Sequence, residues 1–157
     1  MIRPASPADV PVILRFVREL AEYEREPDTV EATEETLAEA LFGPHPAAEA
    51  VIAEQHGVPV GFALFFHNFS TWKGRRGLYL EDLYVTPAAR GSGVGKALLR
   101  HLAALALDRG CARFEWSVLD WNTPAINFYR AMGAVGMDAW TVQRVDGDAL
   151  VRLAGRG

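Results

Sequence analysis

Apolar residues recur at three- and four-residue spacing from Val10 through Ile13, Leu14 and Val17 to Leu20, which predicts one buried helical stripe. Ser6 or Asp9 can cap this helix, with Pro7 or Pro11 in its opening turn. The polar stretch Glu22 to Glu31 breaks the stripe, and Thr33-Glu34-Glu35-Thr36 opens a second, shorter helix ending near Gly43-Pro44. From Ala50 the period changes. Residues 50–54 and 58–66 flank Gln55-His56-Gly57 as the arms of a hairpin, and His67 to Gly77 reads as a polar loop. Leu78 to Val85 is the next expected strand, ended by Thr86-Pro87. Leu98, Leu102 and Leu105 mark a helix over 96–109 with Gly110 as its stop, followed by a strand from Ala112 to Leu119. Asn122-Thr123-Pro124 opens a further helix that stops at Gly133, and Ala134 to Leu153 alternates weakly, as a final strand or hairpin. The expected fold is α/β (α+β): a mixed sheet with helices on its faces.

The chain has 157 residues, half of them apolar, which suffices for a core in one domain spanning 1–157. Mean hydropathy is +0.02, which excludes intrinsic disorder. The net charge of −4 argues against a phosphate-backbone partner, so no nucleic acid is expected. No apolar run reaches the ~18 residues of a membrane span. The single Cys111 has no internal disulfide partner, which suits a reducing cytoplasm. His45, His56, His67 and His101 lack the spacing of a zinc helix, and no metal site is expected.

The most informative segment is Val85 to Lys96, where a strand, a turn with Gly91, Gly93 and Gly95, and a helix start follow in succession. Glycines allow positive φ and close approach of a ligand, and the unpaired N–H groups of a first helical turn form an anion site. Arg90 and Ala97 are wrong for a Walker A loop, and Lys96 is wrong for the dinucleotide fingerprint. An ordinary strand-to-helix turn is the bland alternative.

Arg90-x-x-Gly93-x-Gly95 resembles the pyrophosphate loop of the GNAT superfamily of N-acetyltransferases, which use acetyl-CoA. The resemblance covers nearly the whole chain and is closest to the diamine (spermidine/spermine) and thialysine acetyltransferases. It is carried by Ile2 to Ala5, Glu19 to Glu24, Tyr79 to Val85, Arg90 to Gly95 and Trp121 to Tyr129. It implies a mostly antiparallel sheet of six to seven strands and an active homodimer, to which Trp140 and Leu150 could contribute.

For acetyl transfer to an amine, the resemblance implies a general acid at Tyr129 beside the CoA sulfur. It implies at Glu81 a carboxylate that binds the cationic amine and takes its proton through a water. Alternation along Leu78 to Val85 puts Glu81 on one face and Asp82 on the other, provided no bulge intervenes. Leu83, Tyr84 and Val85 are implied to pair with the pantetheine arm. Arg90, Gly91, Ser92, Gly93, Val94, Gly95 and Lys96 are implied to hold the pyrophosphate, and Asn122, Pro124, Ala125 and Tyr129 to contact the cofactor. Tyr23, Glu24, Glu81, Glu115, Trp116 and Ser117 are the implied substrate contacts. The bland readings stay open: Tyr129 as a packed aromatic, Glu81 in a salt bridge to Arg75 or Arg76, Asn122 as an N-cap, and Tyr23-Glu24 as a solvated helix end. The function implied is acetylation of a small cationic amine. A GNAT enzyme for another amine and a non-catalytic CoA sensor are the alternatives.

Overall fold

The computed structural model describes residues 1–157 as two compact units, Met1–Leu119 and Asp120–Gly157. In the first unit, strands β1 (Ile2–Pro4), β2 (Glu49–Gln55), β3 (Val58–Ser70), β4 (Arg75–Val85) and β5 (Phe114–Glu115) form one sheet in the order β1-β2-β3-β4-β5. The first four strands are antiparallel, and β5 joins β4 in parallel through Leu78↔Phe114 and Tyr79↔Glu115. The sheet thus has five strands, fewer than the six to seven expected.

Helices cover both faces of this sheet. Helix α1 (Val10–Tyr23) and helix α2 (Glu34–Phe42) pack on one side, where Ile13, Phe16 and Leu41 meet Ala50, Ile52, Phe62 and Tyr84. Phe16 is fully buried, with its ring 5.8 Å from Phe62 and 5.5 Å from Tyr84. Removing such a side chain from water contributes roughly 1.5–3 kcal/mol. Val51, Ala53, Ala63 and Phe65 alternate to the opposite face. There helix α3 (Val94–Asp108) buries Leu98, Leu99, Leu102 and Ala106.

Charged groups brace the sheet margins. Asp9 accepts from both terminal nitrogens of Arg3 at 2.7 and 2.9 Å, and Glu54 pairs with the same guanidinium. At the far end of α3, Arg109 grips both carboxylate oxygens of Glu49 at 2.6 and 2.9 Å and donates to His67 Nε2 at 2.9 Å.

Several boundaries depart from expectation. The segment His67 to Gly77 is not a loop: β3 continues to Ser70 and β4 starts at Arg75, because Asn68, Phe69 and Ser70 pair with Gly77, Arg76 and Arg75. The strand expected over 112–119 shrinks to Phe114–Glu115, and Cys111 is buried just ahead of it. In the second unit, helix α4 (Thr123–Ala131) forms as expected, with Asn122 Oδ1 accepting from Ala125 N at 3.4 Å. No strand forms over 134–153; Gly147–Leu153 is helix α5 instead. Weak alternation gives a strand nothing to pair with, whereas Asp146 and Asp148 favour a helix start. No helix is long and apolar enough to cross a membrane.

Candidate functional site

The site of the first unit is built where β4 changes face. Leu64 of β3 opposes Asp82, yet the next residue, Phe65, opposes Leu80, so Glu81 is an extra residue without a partner. This is a β-bulge, two residues facing one. Opposed residues share a face, so Leu80 lies with Phe65 on the α3 side and Asp82 lies with Leu64 on the α1 side. The alternation expected for this strand is therefore wrong beyond Leu80. Asp82 does not point away from Glu81: both act electrostatically on Glu24 or on each other at the end of α1.

Three carboxylates thus crowd one corner. Burial, reinforced by the charges of Glu81 and Glu24, pushes Asp82 up from 3.8 to about 6. Burial and Glu81 likewise push Glu24 up. The salt bridge considered for Glu81 does not form. Arg76 acts on Glu49 instead, and the sheet's ion pairs use Arg3, Arg109 and Arg113.

From this corner β4 runs into the glycine turn. Pairing with β5 stops at Tyr79, so from Leu80 to Val85 one edge of β4 carries no strand. That edge includes the backbone of Leu83, Tyr84 and Val85. A free edge can receive an extended ligand as though it were another strand. The turn beyond needs its glycines: Gly91 and Gly93 have φ of +82° and +87°, and a Cβ at either position would project into open space. Gly93 is the N-cap of α3, and Ala97 N bonds its carbonyl at 3.0 Å. The N–H groups of Val94, Gly95 and Lys96 come ahead of that first bond, which leaves an anion cradle at the helix start. Ser92 is tied down twice, donating to Ala89 O and accepting from Gln55 Nε2 at 3.1 Å. The donors and the open space fit a pyrophosphate.

Arg90 opens the turn. Its Nε donates to Val85 O at 3.0 Å, and its guanidinium carbon sits 5.4 Å from the Tyr23 ring centre and 5.7 Å from that of Tyr84. Tyr84 is buried and donates its hydroxyl to Glu19 Oε1 at 2.9 Å; burial and this bond push the phenol up. Tyr23, Glu24, Glu81, Tyr84 and Arg90 are therefore gathered at one end of the sheet. Glu115, Trp116 and Ser117 lie along β5 and just after it. Glu115 pairs with Arg113 at 2.8 Å, Trp116 packs on Phe114 at 4.9 Å, and Ser117 Oγ bonds Tyr79 OH at 2.9 Å.

In the second unit Asn122 caps α4, as its bland reading held, while Pro124 and Ala125 occupy the first turn. Tyr129 lies in the last turns of α4 with its ring 5.6 Å from Phe128. The residues that strand alternation missed are Asp82 and the Arg90 contacts. No local signal announces the bulge, because both faces of the sheet are covered and adjacent apolar residues such as Leu83-Tyr84 fit a regular strand as well.

A family model described as the acetyltransferase (GNAT) family matches residues 13–134. The thialysine N-epsilon-acetyltransferase of Bos taurus is 41% identical, over 99% of this chain and 98% of that protein. An L-ornithine N5-acetyltransferase of Arabidopsis thaliana is 32% identical, over 95% and 85% of the two chains. Among solved structures, an integron cassette protein from the mobile metagenome of V. cholerae superposes with a TM-score of 0.81. It is 30% identical and the match covers 98% and 96% of the chains.

Proposed function

The chain belongs to the GNAT acetyltransferase family and is an N-acetyltransferase, and we propose that its acceptor is a primary amine of a small cationic molecule. The acceptor is a polyamine, a diamine or a thialysine-like amino acid, and it attacks directly. The observation that carries this reading is the bulge in β4, which brings Glu81 and Asp82 together with Glu24 at the end of α1. Three carboxylates in one corner, with burial raising the proton affinity of Glu24 and Asp82, attract an ammonium group.

Each residue then has a task. Glu81 holds the ammonium and takes its proton through a water, since an alkylammonium with a pKa near ~10.4 cannot attack while charged. Asp82, poised at about 6, lines the same corner as a better proton acceptor than an ordinary aspartate. Tyr23 and Glu24 contact the acceptor from the end of α1, and Glu115, Trp116 and Ser117 contact it from β5 and the residues just after it. Acetyl-CoA, when bound, supplies the acetyl thioester. Arg90 to Lys96 would hold its pyrophosphate, the free edge at Leu83, Tyr84 and Val85 its pantetheine arm, and Asn122, Pro124 and Ala125 further atoms. Tyr129 carries a phenol hydroxyl that can donate a proton and is the general acid. The enzyme acts as a cytoplasmic homodimer. Exposed Trp140 and Leu150 of the second unit support the pairing of two copies.

The test is a panel of acceptors assayed for free CoA release. Thialysine, spermidine and short diamines should turn over well, and neutral or acidic amines poorly. Basic amino acids form the second acceptor class, because one relative is named for L-ornithine. Preference for an uncharged amine would refute the acceptor class. CoA binding without turnover on any amine would leave a sensor.

A further inference from the structure

We propose that Arg90 is a positioning residue that couples cofactor binding to amine binding, so that each ligand tightens the other. The inference rests on the reading that CoA uses the 90–96 turn and the amine uses Tyr23-Glu24.

One guanidinium serves three elements. Its Nε donates to the last carbonyl of β4, at Val85, at 3.0 Å. Its guanidinium carbon lies over the Tyr23 ring at the end of α1, 5.4 Å from the ring centre, and over the Tyr84 ring inside β4, at 5.7 Å. Arg suits this arrangement because its flat, delocalised cation can stack on rings while its N–H fork bonds elsewhere. Tyr84 is itself anchored by its bond to Glu19 at 2.9 Å, and Glu19 pairs with Arg15 one turn earlier on α1 at 3.3 Å. Tyr84 and Glu19 are therefore a fixed base. Tyr23, 43% exposed, is the adjustable member, and Glu24 follows it directly in the chain.

An anion seated on the glycine turn fixes Arg90, whose backbone begins that turn. A fixed guanidinium holds the Tyr23 ring, and with it the Glu24 carboxylate that faces Glu81. The ordering cost of the amine wall is then met before the amine arrives, which is positive cooperativity without any large rearrangement. Linkage makes the effect reciprocal: the amine must raise CoA affinity by the same factor.

Calorimetry on the full chain tests this with CoA and thialysine, a pair that cannot react. CoA should bind at least about fivefold more tightly at saturating thialysine than without it, the lower end of ordinary coupling. In Arg90→Gln that factor should fall to about one. Tyr23→Leu, which leaves the cation in place, should also abolish the factor while CoA alone binds nearly as in wild type. Binding of both ligands with no coupling in wild type, or coupling that survives in Arg90→Gln, overturns the inference alone. Failure of wild type to bind CoA or thialysine overturns the functional reading and the inference with it.

Discussion

Replacing Asp82 by Asn should make the protein more stable at neutral and alkaline pH. The amide keeps the shape of the carboxyl group and removes the charge that burial, Glu81 and Glu24 all disfavour. The folded state holds the Asp82 proton up to about 6, against 3.8 for an ordinary aspartate. At ~1.36 kcal/mol per unit, ionised Asp82 costs the folded state about 3 kcal/mol. The sign follows from proton counts. Between the two values the folded chain binds more protons than the unfolded chain, so stability falls as pH rises through 6 and is fully present below about 4. Asp9 behaves oppositely. Its bond to Arg3 holds it at about 2, so its contribution is lost only below the range in which Asp82 titrates. Urea denaturation of wild type and Asp82→Asn at intervals between about pH 4 and pH 8 isolates the difference. The curves should nearly coincide at the acid end and separate by about 3 kcal/mol at the alkaline end, a midpoint shift of about 1–3 M urea. A gap that stays constant with pH, or a wild type more stable at pH 8, would refute the account of this corner. The stabilised variant should also be the poorer enzyme, since groups that cost stability at working pH cluster at functional sites.

Gly93→Val forces a β-branched residue to φ near +87° at the start of α3 and should weaken CoA binding by an order of magnitude or more, read by calorimetry on a variant whose circular dichroism is unchanged. Tyr129→Phe should lower kcat by roughly 10²–10⁴-fold at nearly constant acetyl-CoA KM, and turnover within about threefold of wild type would make Tyr129 a packing residue. Glu81→Gln should instead mainly raise the amine KM and shift the pH profile; an unchanged amine KM would remove Glu81 from the acceptor site. Sedimentation at micromolar concentration should report a dimer, and a species of 17.2 kDa would count decisively against the exposed Trp140 region as an interface.

Helices α1 to α4 were legible because their signals are local, whereas the segment of α5 was expected as a strand or hairpin. Val10 to Leu20 and Leu98 to Leu105 carry their own period, and Asn122 with Pro124 starts α4 whatever surrounds it. The glycine turn was legible for the same reason: positive φ at Gly91 and Gly93 is a property of residue type. Strand extent was less legible, because His67 to Ser70 and Arg75 to Gly77 are polar residues that become strand only by pairing with each other. The side chosen by Asp82 was not legible at all. A bulge arises from how two strands align, and nothing in Leu80-Glu81-Asp82 announces it. The contact of Arg90 with Tyr23 joins residues far apart in the chain, which motif spacing cannot report.

The extra residue in β4 also says something about length. Count the strand without Glu81, and Leu78, Leu80 and Leu83 fall on the α3 side while Tyr79, Asp82 and Tyr84 fall on the other, an unbroken alternation. A chain shortened by that one codon would close a regular ladder with every core side chain where it already is. The sheet therefore has no need of Glu81; the residue is an insertion that the architecture merely accommodates. With Glu81 as the acceptor contact proposed above, what keeps it in place would act through that contact and not through the sheet.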